Sequence, residues 1–140
     1  MKLTIVRLCS NLLSAVWKWA AKTQKKERLD FSKMFGYVIV VVQHYETKNV
    51  LMVGVMNQKA LDKTLSTGLV TLWTRTRNCL WTKGETSGNF LKVREICVDC
   101  DKDTLLIMVD PVGPTCHTGA DTCFENIDGT MRKFQKEELQ

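Results

Sequence analysis

The densest chemistry in the sequence lies in residues 99–124, which read DCDKDTLLIMVDPVGPTCHTGADTCF. Asp99, Asp101 and Asp103 stand at alternate positions and offer the hard oxygen donors that Mg²⁺ or Ca²⁺ takes. Cys100, Cys116 and Cys123 offer soft thiolates of the kind zinc takes, and His117, one of two histidines in the chain, adjoins Cys116. Hard and soft ligands interleaved in one short segment point to chemistry rather than to packing. An EF-hand is excluded, because its loop needs glycine at the sixth position and Thr104 stands there.

A structural zinc takes four protein ligands, whereas a catalytic one keeps a position open for water. His117 is the fourth candidate, but neighbouring side chains diverge in extended backbone, so three thiolates with one open position fit better. The competing reading is a zinc-stapled loop without catalysis.

These ligands need elements to position them. A strand over residues 96–103 would set the three Asp on one face and Cys100 on the other. The apolar run 105–109 predicts a strand directly afterwards, and Pro111, Gly113 and Pro114 predict a turn bringing Cys116 and Cys123 back towards Cys100. Upstream, residues 37–43 (YVIVVVQ) and 50–55 are β-branched runs that predict a hairpin, with His44 a solvated turn residue. Asn57 can cap a helix over residues 58–66, with Leu61 and Leu65 inward and Gly68 ending it. Further strands are expected at 70–75, 79–82 and 91–98. The fold class is α+β: one strand-rich domain with a mixed or antiparallel sheet and one short central helix.

Between two of those strands lies KGETSG, residues 83–88. Gly84 and Gly88 let backbone N–H groups approach a ligand, while Thr86 and Ser87 add hydroxyls, which suits a phosphate or ribose. Arg75, Arg77 and Lys83 supply positive charge, although Gly-Ser turns with nearby basic residues are common surface features.

Taken together, DCDKD, the CHTG at residues 116–119, the final TCF, KGETSG, LMVGVMN at 51–57 and TRTR at 74–77 resemble the phosphoribosyl-AMP cyclohydrolase family of histidine biosynthesis. The resemblance covers residues 29–124 or so. It implies hydrolytic opening of the adenine ring of phosphoribosyl-AMP between N1 and C6. It assigns zinc to Cys100, Cys116 and Cys123, magnesium to Asp99, Asp101 and Asp103, and substrate phosphate to Arg75, Arg77, Lys83, Gly84, Thr86 and Ser87. His117 is the expected proton shuttle and Glu85 the alternative. An intertwined homodimer is implied as well, with thiolates of both chains available to one zinc. The chain departs from the family where relatives carry VQD, LAYMN and YxSRSR; here stand Gln43-His44, VGVMN (53–57) and LWTRTR (72–77). Many relatives carry a second, pyrophosphohydrolase domain, an activity not expected here because only 17 residues follow Cys123.

The 140-residue, +5 chain suits one domain with an anionic partner. Its six cysteines cluster with Asp and His and follow no convincing signal peptide, which argues for metal binding in a reducing, cytoplasmic setting over a disulfide framework. Residues 1–28 form a basic extension in which Leu8, Leu12, Leu13, Val16, Trp17 and Ala20 recur at helical spacing. That pattern fits an amphipathic helix packed on the domain or a partner; a transit peptide or membrane-surface helix shares its composition. No apolar run reaches the ~18 residues of a membrane span. The expected domain is 29–126, with a polar tail after it. A zinc-stabilised nucleic-acid or nucleotide-binding module would explain the charge and the thiols, but three Asp beside a thiol would repel phosphates. A base deaminase wants H-x-E with P-C-x-x-C, which the chain lacks.

Overall fold

Alternating side chains decide the centre of the sheet. In β1 (Val38–His44), Val38, Val40 and Val42 are fully buried, whereas Ile39 and Val41 on the other face are partly covered. β2 (Val50–Met56) returns antiparallel beside it with Ile39 opposite Val55 and Val41 opposite Val53, the hairpin expected from the two β-branched runs. The computed structural model describes residues 29–130. The expected N-terminal helix and C-terminal tail from Met131 onward lie outside the described residues.

The helix α1 (Gln58–Thr67) starts where Asn57 Oδ1 accepts the Ala60 N–H at 2.9 Å, and ends at Gly68 in the left-handed region, φ 70°. Its inner face carries Ala60, Leu61 and the buried Thr64. Thr64 Oγ1 donates to the Ala60 carbonyl at 2.9 Å and accepts the Thr71 N–H at 2.9 Å, so one hydroxyl ties the helix to the next strand. β3 (Thr71–Thr74) and β4 (Cys79–Thr82) form a separate two-stranded ribbon. β5 (Leu91–Val98) and β6 (Thr104–Pro111) complete the main sheet.

That sheet has the order β2-β1-β6-β5; β6 runs parallel to β1 and antiparallel to β5, so it is mixed. Leu105, Ile107 and Val109 from β6 join Val38, Val40 and Val42 in a core closed by Leu51, Met56, Leu61, Leu72 and Leu91.

The strand expected over residues 96–103 is corrected. β5 stops at Val98, and residues 99–103 are a turn that leads back into β6, not a strand continuing past Asp99. Asp99 Oδ1 accepts the backbone N–H groups of Asp103 and Thr104, each at 3.1 Å, and Lys102 takes a left-handed φ of 69°. A short polar side chain that captures its own backbone competes with ladder hydrogen bonds, and here it wins.

Candidate functional site

The turn at residues 99–103 closes one end of the sheet. Its three carboxylates still converge: one oxygen from each of Asp99, Asp101 and Asp103 lies within 4.8 Å of the others. The alternate spacing brings them together by wrapping around a turn instead of sharing a strand face. Partial desolvation opposes ionisation of Asp99, but hydrogen bonds with the Thr104 amide, the Asp101 side chain and the Asp103 amide outweigh it and hold the carboxyl below its usual range. Three clustered carboxyl groups of this kind fit a hard divalent cation.

The other end carries the thiols. Beyond β6 the chain turns through Gly113 and Pro114 into a loop in which the Cys116 N–H donates to the Ala120 carbonyl at 2.9 Å and the Gly119 N–H to the Cys116 carbonyl at 3.0 Å. The loop is anchored on β2: the Cys123 N–H donates to the Leu51 carbonyl at 2.7 Å and Thr122 Oγ1 to the Val50 carbonyl at 2.8 Å. Cys116 and Cys123 therefore lie together. The Thr118 hydroxyl and amide draw the Cys116 thiol below its ordinary value. Desolvation of the Cys123 sulfur, followed by its neighbour Cys116, pushes that thiol up even though the residue as a whole is exposed.

His117 Nδ1 lies 3.9 Å from Cys116 Sγ. The premise that these two side chains diverge fails, because residues 117–118 form a turn and not extended backbone. His117 therefore stands beside the thiol pair.

Cys100 does not join that pair. It sits in the acid turn, and β6, eight residues long, separates the two ends. At a rise of ~3.3 Å per residue the gap is about 26 Å. The expected return of Cys116 and Cys123 towards Cys100 does not occur within one chain, so three thiolates do not fit one zinc there. Among the described residues, the group of three close metal-capable donors is the acid triad.

The KGETSG turn lies at the thiol end, immediately before β5. Gly84 has φ 93°, and a Cβ there would stand 2.5 Å from the backbone of Asn89 and Phe90, so only glycine fits. Glu85 Oε2 accepts the Thr82 N–H at 3.1 Å, and Ser87 Oγ accepts the Asn89 N–H at 3.2 Å. Both groups therefore serve the turn itself, while Thr86 stands exposed. Lys83 is buried, with its ammonium 5.6 Å from the Trp81 ring centroid, and its charge favours the Cys123 thiolate. Arg75 and Arg77 are exposed in the turn at the far end of the β3–β4 ribbon from Lys83 and do not flank KGETSG in one chain.

Three residues escaped the sequence reading. Thr122 holds the thiol loop on β2 through bonds spanning 71 and 72 residues. Thr115, beside Cys116, has a buried hydroxyl without a hydrogen-bond partner. Lys33 places its ammonium 3.6 Å from Asp101 Oδ2 and 3.6 Å from Asp103 Oδ2. No local signal marks any of them. Two of the departures from the family pattern meet: a Cβ at Gly54 would lie 2.9 Å from Leu72 Cδ1, so the small residue makes room for the leucine.

The chain is similar to the histidine biosynthesis bifunctional protein HisIE of Bacteroides thetaiotaomicron, with 62% identity over 96 residues, 69% of this chain and 47% of that protein. HisIE of Escherichia coli K12 is 55% identical over 101 residues, 72% of this chain and 50% of that protein. HisIE of Haemophilus influenzae is 48% identical over 112 residues, 80% of this chain and 51% of that protein. The chain thus spans about half the length of the curated relatives it matches. Residues 52–125, which hold the helix, the KGETSG turn, the acid triad and the thiol loop, match the phosphoribosyl-AMP cyclohydrolase model, and the chain belongs to that family.

Proposed function

We propose that this chain opens the adenine ring of phosphoribosyl-AMP by hydrolysis of the N1–C6 bond, a step of histidine biosynthesis, and does so as a homodimer. The observation that carries the reading is the division of the thiols: Cys116 and Cys123 at one end of the sheet, Cys100 at the other, all at least partly exposed. In a two-fold dimer the acid turn of one subunit would face the thiol loop of its partner, so that each complete site draws on both chains. Zinc held by such a thiolate set would supply Lewis acidity that makes water nucleophilic near neutral pH.

The chain's own residues account for the rest. The KGETSG turn, with Lys83, Gly84, Thr86 and Ser87, binds a phosphate and fixes the ring over the thiol loop. Arg75 and Arg77 reach substrate phosphate from the ribbon's far end. Asp99, Asp101 and Asp103 of the acid turn would hold magnesium, which would supply positive charge to the site. His117 accepts the proton of the attacking water as the C6–O bond forms, then returns it to N1 as the C6–N1 bond breaks. Glu85, engaged with the Thr82 amide, orders the turn before it does any proton transfer. Thiolates that must stay unpaired suit a reducing compartment, hence the cytoplasm. Among the described residues, no helix is long and apolar enough to cross a membrane.

The test is direct. Purified protein incubated with phosphoribosyl-AMP should lose the purine absorbance as the ring opens, and a nucleotide that binds but stays intact would reject the reading.

A further inference from the structure

The acid turn already carries a cation of its own. Lys33 lies in the 3-10 turn Phe31–Met34, 68 residues upstream of Asp101, and its ammonium donates to the Asp101 carbonyl. The same ammonium stands 3.6 Å from one oxygen each of Asp101 and Asp103. The segment is moored beside it: the Asp30 N–H donates to the Lys102 carbonyl at 2.7 Å, and Asp30 Oδ1 accepts the Ser32 N–H at 2.9 Å. Asp103 is only 25% exposed and Lys33 37%, so the contact is partly shielded from water.

We propose that Lys33 is the resident cation of the acid turn, which a divalent metal ion must displace, so that metal occupancy and docking of Lys33 are alternatives. The inference rests on the reading of Asp99, Asp101 and Asp103 as a divalent-cation site and states how that site is regulated. Lys33 faces Oδ2 of both Asp101 and Asp103, oxygens that a metal would also draw on. A divalent ion on those atoms would lie within a few ångströms of the ammonium, and like charges at that distance repel. The remaining charges facing the turn, Asp30 and Lys102, are intermediate and exposed respectively. Lys33 thus lowers the apparent affinity of the turn for metal.

The probe is Mn²⁺, titrated into the full chain and followed by electron paramagnetic resonance of the free ion. Lys33→Met should bind Mn²⁺ roughly 3- to 10-fold more tightly than wild type, the range expected for releasing partly exposed ion pairs. Lys33→Arg should stay near wild type, and Asp101→Asn should bind more weakly than either. Saturating Mg²⁺ should also speed acetylation of the Lys33 amine in wild type, read by mass spectrometry. Unchanged or weaker Mn²⁺ binding in Lys33→Met, with wild type binding normally, overturns the competition and leaves the cation site standing. Absence of Mn²⁺ binding in wild type and Lys33→Met alike overturns the cation site and this inference with it.

Discussion

The two ends of the sheet share the candidate chemistry, but they are built by different kinds of bond. The acid turn is closed from within, Asp99 Oδ1 accepting the amides of residues four and five positions on, and the segment around Asp30 and Lys33 adds contacts from outside. The thiol loop is held from outside: Thr122 and Cys123 hang from carbonyls of β2. The Asp99 bonds form wherever β5 and β6 pair, whereas the thiol loop depends on a distant strand staying in register. The closure of the acid end is therefore local, whereas the anchoring of the thiol end is conditional on β2.

The strongest way to break this contrast is to remove thiols. Cys116→Ser and Cys123→Ser should each lose zinc and abolish activity, while Cys79→Ser keeps both; atomic absorption with a turnover assay reads the outcome. Cys100→Ser should fail in the same way despite sitting about 26 Å away along β6. Mixing Cys100→Ser with Cys116→Ser subunits should then restore roughly a quarter of the activity, because half the dimers are mixed and half of their sites are whole. No recovery after subunit exchange would reject a site shared between two subunits.

Next in size is His117. His117→Ala should lower kcat by ~10²–10⁴-fold with zinc content and KM little changed, the loss expected for a proton shuttle. Loss of zinc alongside activity would instead make His117 a fourth ligand, since its Nδ1 is 3.9 Å from Cys116 Sγ.

Gly84→Ala separates binding from scaffolding at the thiol end. The new Cβ would meet backbone at 2.5 Å, in a conformation with φ 93° that alanine resists, so the protein should lose about 1–3 kcal/mol of stability, read by denaturant titration. Asp101→Asn sharpens the other side. Zinc content should stay at wild-type level while the Mg²⁺ concentration needed for activity rises, and joint loss of zinc would merge the two ends into one site.

The smallest effect is acid sensitivity beside the acid turn. Asp30 has its carboxyl held below the usual value first by the Ser32 hydroxyl and then by the Ser32 amide. A depressed folded-state value means that its stabilisation is present above the unfolded reference of 3.8 and is lost as pH falls through the lower folded value. An NMR titration should place the Asp30 midpoint below that of a free aspartate, and Ser32→Ala should move it up.

Much of the frame was legible in order. The β1–β2 hairpin, the Asn57 cap and the Gly68 stop follow from β-branched alternation and from side chains that act within four residues. The acid triad was legible as a cluster, though not as a turn, since alternate spacing gathers carboxylates in either geometry once Asp99 caps its own loop. Cys100 was misplaced relative to Cys116 and Cys123 for a different reason. Its neighbours in sequence say nothing about the length of β6 that intervenes as a straight, hydrogen-bonded rod. Lys33 and Thr122 were invisible, because each acts on a partner some 70 residues away.

By itself the sequence determined the ligand types, their grouping into hard and soft sets, and the local turns and caps, because those rest on chemistry within a few residues. The tertiary structure decided which ligands share an end of the sheet, which cation faces the acid turn and which strand supports the thiols. Those outcomes depend on the parallel pairing of β1 with β6, a contact made across some 65 residues that only burial of the Val38, Val40, Ile107 and Val109 core can enforce.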